Sequence, residues 1–165
     1  MLALRVVDVK QFMGKLLLSN TFDQFLIWEA ELFMANAVKI SGKRNRFWYD
    51  DAEWEALEEK EYLKWLELRP MVYQMIKGNK TPLRMKLVLS LASNQVEKIA
   101  QLAKNAIPSD QIGGLLLQIH FEKEELSLIT GVSLKSFQLG KTLEETWDDS
   151  MKQYLKHHEI AFEER

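Results

Sequence analysis

The sequence of 165 residues predicts an α+β fold with a mainly antiparallel sheet. Short runs of alternating apolar and polar residues, typical of half-buried strands, recur between amphipathic segments that begin at capping residues. Several of these runs follow each other across short turns, which favours hairpins over parallel pairs. The predicted order is strand, helix, strand, strand, then helices, then strand, helix and three strands, then a helix.

The first strand-helix-strand-strand unit is predicted over residues 1–46. Leu2, Leu4 and Val6 alternate with less apolar neighbours, which predicts a strand. Asp8 is the predicted cap of a helix over residues 8–18, with Gln11 at the capping-box position. Residues 25–40 predict an extended segment that bends or pairs on itself near Asn36.

Residues 47–80 predict a helical insertion between the two units. Asp50 and Glu53 form a capping pair, and we expect this helix to end before Pro70, which suits the first turn of a second helix. Gly78 is the expected stop of that second helix.

The second unit, a strand, a helix and three strands, is predicted over residues 81–140. Its strand over residues 83–91 precedes a helix over residues 94–105, capped by Ser93 or by Asn94 with Glu97. Residues 115–121 and 126–130 form a predicted hairpin, and Gly131 bends the chain into a further strand over residues 132–139. A C-terminal helix and tail take residues 141–165, with Thr142 and Glu145 as the predicted cap. We expect one domain.

Composition excludes several classes of protein. The chain has 22 basic and 24 acidic residues and a net charge of -2, so it is not basic overall like a nucleic-acid coat protein. With no cysteine it has neither a disulfide framework nor a thiolate nucleophile. We see no signal peptide and no apolar run long enough for a membrane span, and we expect a cytoplasmic protein.

Five segments resemble a small bacterial family that is catalogued as a domain of unknown function. They are residues 7–13, 22–31, 77–82, 130–135 and 160–164. The resemblance covers the whole chain and implies no activity or binding residue. The doubled strand-helix-strand-strand order is also similar to the repeated unit of DNA sliding clamps, although the insertion at residues 50–78 and the final helix depart from the clamp pattern.

Glu29 and Glu31 are candidate catalytic carboxylates. They lie two residues apart in an extended run, so their side chains leave one face of the strand. We expect Phe25, Ile27 and Phe33 to share that face, and such apolar surroundings raise the pKa of a carboxyl group toward that of a general acid. The alternative is a solvated edge strand whose carboxylates pair with cations.

Two basic stretches are candidates for nucleic-acid binding: Lys39, Lys43, Arg44 and Arg46, followed by three aromatic residues, and Lys77, Lys80, Arg84 and Lys86. Basic side chains beside stackable rings bind single strands. The alternative is neutralisation within the fold by the acidic residues at positions 50–67.

We expect no metal and no cofactor. His157 and His158 are neighbours and point about 100° apart on a helix, which makes them a poor chelating pair, and His120 stands alone on a strand. Nucleotide-binding glycine loops and serine-nucleophile motifs are missing from the sequence.

The helical insertion is the predicted contact surface for a partner protein or a second copy. Six of the nine Trp and Tyr residues fall within residues 48–73, and such residues dominate protein interfaces. The candidates are Trp48, Trp54 and above all Trp65, because apolar residues spread around more than one side of that helix. A non-enzymatic interaction module is therefore the favoured function. The alternatives are a clamp-like or single-strand nucleic-acid-binding protein and an acid-base hydrolase.

Overall fold

The computed structural model describes residues 1–78, 80–104, 107–137 and 140–165. Within them, the strands are β1 (Ala3–Val6), β2 (Leu26–Phe33), β3 (Ala37–Ser41), β4 (Leu63–Lys64), β5 (Arg84–Ser90), β6 (Ile112–Glu122), β7 (Glu125–Leu134) and β8 (Phe162–Glu164). The α-helices are α1 (Val9–Leu17), α2 (Asp51–Ala56), α3 (Trp65–Ile76), α4 (Ser93–Leu102) and α5 (Lys141–His157). The predicted α+β class is confirmed.

All eight strands form one antiparallel sheet, in the order β3-β2-β5-β6-β7-β1-β8, with the short β4 paired to the start of β2. The first unit is split, because β1 pairs with β7 and β8 while β2 and β3 lie at the other end of the sheet. β1 and β2 therefore run in the same direction with three strands between them. Such a crossover requires a long connection, which α1 provides.

The helices bury their apolar stripes against one face of the sheet. Residues from α1, α3, α4 and α5 belong to a single core together with the inward residues of the strands, such as Leu4, Ile27, Leu87, Leu117 and Leu128. These strand residues alternate with residues on the opposite face, several of which are polar, such as Arg5, Lys86, Gln118 and Ser127. The predicted stripe of α5 is confirmed, since Leu143, Trp147, Met151 and Leu155 are buried.

The insertion is attached to the core through α3. The indole Nε1 of Trp65 donates a hydrogen bond to the carbonyl oxygen of Leu16, at 2.8 Å. The guanidinium of Arg69 binds both carboxylate oxygens of the buried Asp23, at 2.8 and 2.9 Å. Paired N–H···O bonds to a carboxylate are strong and directional, so α3 has a fixed position against the end of α1 and the start of β2.

The prediction that a helix breaks before Pro70 is wrong, because Pro70 lies inside α3. Proline there removes one backbone hydrogen bond, but the helix is stabilised by the burial of Trp65, Leu68 and Val72 on its inner side. The break comes earlier. The ammonium of Lys60 donates to the carbonyl oxygens of Trp54 and Leu57, which ends α2 near residue 56.

Helix α1 begins as predicted. Asp8 Oδ1 accepts a hydrogen bond from the backbone N–H of Gln11 at 3.0 Å, although the Gln11 side chain donates to the Glu159 carbonyl and does not complete a capping box. Asp50 and Glu53 do form the predicted capping box of α2.

Helix α4 is capped from a distance, and the predicted local cap is wrong. Ala92 occupies its N-cap position, and neither Ser93 nor Asn94 caps it with its own side chain. Both carboxylate oxygens of Glu59, a buried residue of the insertion, accept hydrogen bonds from the N–H and the hydroxyl of Ser93, at 2.8 and 2.7 Å. A carboxylate at a helix N-terminus satisfies free N–H groups and favours the helix dipole.

Two further expectations about the C-terminal half are wrong, and one strand there was not expected. Gly131 does not bend the chain, because it pairs with Leu116 inside a continuous β7; of the predicted strand over residues 132–139, residues 138 and 139 lie outside the described residues. Helix α5 has Gly140 at its N-cap, without a side-chain cap from Thr142. The terminal strand β8 was not predicted.

Removing the Asp8 cap should lower the free energy of unfolding by about 0.5–2 kcal/mol, as measured by urea denaturation of an Asp8→Ala variant. Glu59→Ala should cost about 1.5–3 kcal/mol, because the start of α4 loses two hydrogen bonds from Ser93 to a charged carboxylate. Asn94→Ala is the matched control, since Asn94 makes no cap. A larger loss for Asn94→Ala than for Glu59→Ala would contradict the distant cap.

Candidate functional site

The sheet face opposite the helices, called the polar face below, brings together residues of two predicted sites, the catalytic carboxylates and the basic nucleic-acid ligands. One row of directly paired residues crosses seven strands: Lys39, Glu31, Lys86, His120, Ser127, Arg5 and Glu163. Glu29 and Arg84 lie on the same face. The candidate carboxylates therefore share a surface with Lys39, Arg84 and Lys86, three of the candidate nucleic-acid ligands.

Glu29 and Glu31 lack the apolar surroundings that we expected. A bulge between Ile27 and Glu29 turns Ile27 to the covered face, and Phe25 is also buried in the core. Lys39 lies across the hairpin, with its ammonium 3.4 Å from Glu31 and 4.0 Å from Glu29. The carboxylates of this pair therefore face cations, and of the three expected apolar neighbours only Phe33 shares their side of β2.

The pKa of Glu31 is lowered, against the sequence expectation of a raised value. A hydrogen bond with the Glu29 side chain is the largest cause, and burial opposes it. The cations of Lys39 and Lys86 lower the pKa further. A general acid must hold its proton near neutral pH, so the pKa of Glu31 is shifted in the wrong direction for that role.

His120 stands beside Lys86 in the row and has a lowered pKa. Burial is the larger cause and the charge of Lys86 adds to it. The Nε2 atom lies 3.0 Å from the side-chain oxygen of Gln118, so a neutral ring donates to that amide. A small cavity of about 190 Å³ lies here, lined by His120, Lys86, Arg84 and Glu31 among others.

The structure divides the first basic stretch, because Lys39 lies on the polar face whereas Arg44 and Arg46 bind acidic residues of the insertion. The side chain of Arg44 is 3% exposed and binds both carboxylate oxygens of Glu67, at 3.0 and 2.8 Å. Arg46 pairs with Asp51 at 2.6 Å. Acidic residues of the insertion thus hold both arginines, whereas Lys43 is exposed and has no ion pair among the described residues.

The second basic stretch is also divided. Arg84 lies on the polar face, with its guanidinium carbon 4.0 Å from the centroid of the Phe33 ring, and Lys86 follows it there. Lys77 and Lys80 lie at the end of α3, beside a groove on the side of the helices. The eight basic candidates therefore do not form one continuous surface, and nucleic-acid binding stays a prediction.

The three tryptophan candidates have three different environments. Trp65 is fully buried, and this contradicts its predicted role in partner contact, because its ring packs into the protein's own core. Trp54 is half-buried, with the Arg46 guanidinium 5.0 Å from its ring. Trp48 is 82% exposed, and its neighbour Phe47, which the sequence analysis did not select, is 96% exposed.

Phe47 and Trp48 are held on a rigid support. They belong to a short 3-10 helix, Arg46–Trp48, in which the Phe47 N–H donates to the Asn45 side-chain oxygen and the Trp48 N–H donates to the Asn45 carbonyl oxygen. The Arg46 guanidinium binds the Tyr49 carbonyl at 3.0 Å, and Arg44 binds the Tyr49 hydroxyl at 2.9 Å. These contacts on both sides fix the backbone beneath the two exposed rings.

No group of three or more His, Asp or Glu side chains that could hold a metal occurs among the described residues. His157 and His158 adjoin at the end of α5, with ring centroids 5.1 Å apart, and the His158 ring packs 4.3 Å from that of Tyr154.

No helix in the described part of the chain has both the length and the hydropathy of a membrane span.

The chain matches the model of a protein family. The model of a family of unknown function, DUF5721, matches residues 15–163. The chain belongs to this family. No curated protein and no solved structure matches the chain, so the assignment to DUF5721 brings no known activity to the polar face or to the exposed aromatic pair.

His120 should make the stability of this DUF5721 protein depend on pH. Because its pKa is lowered in the folded state, the unfolded chain binds the proton more readily below the ordinary value of 6.5, and the folded state loses stability as the pH falls. Urea unfolding between about pH 7 and pH 5 should show a smaller loss for His120→Gln than for wild type. Equal losses in both proteins would contradict this assignment, since His158 is present in each.

Proposed function

We propose that the protein is a non-enzymatic interaction module that docks a partner protein through Phe47 and Trp48. The observation that carries this proposal is the exposure of two large aromatic side chains, next to each other, on a braced turn of the insertion. Aromatic residues at the centre of an interface supply much of its binding energy.

The energetic argument is the apolar area that these rings leave in water. A buried aromatic side chain removes roughly 150–250 Å² from solvent, which is about 4–6 kcal/mol per ring before the costs of association. Aromatic side chains have two rotatable bonds, so little side-chain freedom is lost when they dock. A single exposed apolar residue needs no explanation, but two adjacent ones on a rigid support favour a contact surface.

The braced backbone further supports docking. Arg44 and Arg46 are held by Glu67, Asp51 and Tyr49, so the turn need not be ordered at the moment of binding. Preorganisation of this kind raises affinity by lowering the entropic cost of association. The arginines that the sequence offered as nucleic-acid ligands take a supporting role in this proposal.

The test is photo-crosslinking in cells of the source organism, with a benzophenone amino acid in place of Phe47. We expect a covalent adduct, either with a second copy or with another protein, and sedimentation velocity on the purified wild type separates these two cases. The adduct should disappear when Trp48→Ser is added. Placement of the probe at Leu83, which is 73% exposed and lies outside the insertion, gives the control.

Two crosslinking results would contradict docking through Phe47 and Trp48. Adducts of equal yield from positions 47 and 83, or none from position 47 together with a monomer at all concentrations, would overturn the proposal. Circular dichroism and thermal melts of the variants must match wild type, as expected for substitutions at exposed positions.

A further inference from the structure

A second surface lies at the other end of α3. A groove of about 580 Å³ opens between α1, the C-terminal end of α3, Gly78, residues 80–82 and the β6–β7 hairpin. Its floor is apolar and includes Val9 and Met13 of α1, Tyr73 and Ile76 of α3, and Phe121 of β6. We call it the α1–α3 groove.

The floor of the groove is apolar because α1 and α3 each place two apolar side chains beside the other helix. Val9 and Met13 are four residues apart on α1, and Tyr73 and Ile76 are three apart on α3, so each pair lies on one side of its helix. All four side chains are half-buried, because they pack on the core and leave one side open to solvent. The volume is within the range of ligand sites, but the groove is a furrow on the surface rather than a closed cavity.

The charges around the groove have one predominant sign. Lys10, Lys77 and Lys80 line it, with Glu124 as the one carboxylate in the lining. All three lysines are exposed, and none forms an ion pair with any residue that the structure describes. This differs from Lys39, Arg44 and Arg46, each of which has a carboxylate partner.

We infer that the α1–α3 groove binds a segment of a partner protein that combines apolar side chains with carboxylates beside them. The apolar floor between two helices suits an amphipathic helix, whose residues at positions i, i+3, i+4 and i+7 enter such furrows. The unpaired lysines favour Asp or Glu at the flanks of that segment and disfavour a basic one. The open furrow favours a peptide over an acyl chain, which requires a site that surrounds it.

This surface goes beyond the proposed function and is separate from it. Phe47 and Trp48 are braced through Arg44 to Glu67, in the first turn of α3, whereas the groove adjoins Ile76 and Lys77. The two attachment points are roughly 15 Å apart along the helix, at 1.5 Å per residue. Loss of one surface therefore leaves the other in place.

The test is selection of peptides from a random phage-displayed library on the full-length protein. We expect enriched sequences that carry apolar residues at helical spacing together with Asp or Glu. A synthetic peptide of the consensus sequence should bind wild type at least about tenfold more tightly than a Lys10→Glu, Lys77→Glu, Lys80→Glu variant, because like charges then oppose the peptide. Lys98→Glu, on the exposed side of α4, is the control and should bind as wild type does.

A second variant probes the floor. Met13→Glu places a carboxylate among the apolar side chains, and we expect it to abolish binding of the same peptide while circular dichroism stays unchanged. If Met13→Glu does not fold, the affinity of the peptide for the triple lysine variant decides whether the groove is the binding site. Equal affinity for wild type and the triple lysine variant, or enriched peptides without acidic residues, would overturn the inference. Displacement of the peptide by oligothymidylate or by sodium laurate at equal or lower concentration would also overturn it, since the groove would then suit another class of ligand.

Discussion

The contact of α3 with the end of α1 is the interaction on which the other surfaces depend. Trp65 and Arg69 bind the Leu16 carbonyl and the buried Asp23, and this fixes a helix that contains an internal proline. With α3 in place, Glu67 can hold Arg44 beneath the exposed aromatic pair, and the other end of the same helix forms one wall of the groove. A rigid helix that supports both proposed surfaces positions them more precisely than loops could.

On the polar face, the strand register determines which charged side chains lie opposite each other. Lys39, Glu31 and Lys86 occupy paired positions on β3, β2 and β5, so opposite charges lie directly across from each other. Cross-strand pairs of this kind stabilise a sheet modestly, and they leave little net field for a strand of nucleic acid or a substrate. The same residues in another register would have placed like charges together. Three of the candidate site residues thus have a structural explanation in the sheet.

Much of the fold follows from local patterns, and the failures have a common cause. Asp8, the Asp50–Glu53 capping box and the β6–β7 hairpin are set by neighbouring residues, and the structure has them as expected. The cap of α4 comes instead from Glu59, which is 34 residues away in sequence, and no local pattern contains that partner. The break before Pro70 was wrong for the same reason, since packing of Trp65 and Val72 outweighs a local propensity. Of the surfaces proposed above, the sequence offered Trp48, Lys77 and Lys80, but neither Phe47 on the first surface nor Lys10 and the apolar floor of the second.

The sequence by itself determined the α+β class, the caps of α1 and α2 and the buried stripe of α5, because period and capping depend on residues a few positions apart. Only the tertiary structure decided that β1 leaves its own unit to pair with β7, that Trp65 is buried while Phe47 and Trp48 are exposed, and which lysines keep a free charge. The identity of an aromatic or basic residue does not reveal whether its side chain lies in a core, in an ion pair or at an interface. Their environment is set by contacts between segments far apart in the chain, which a pattern of neighbours does not contain.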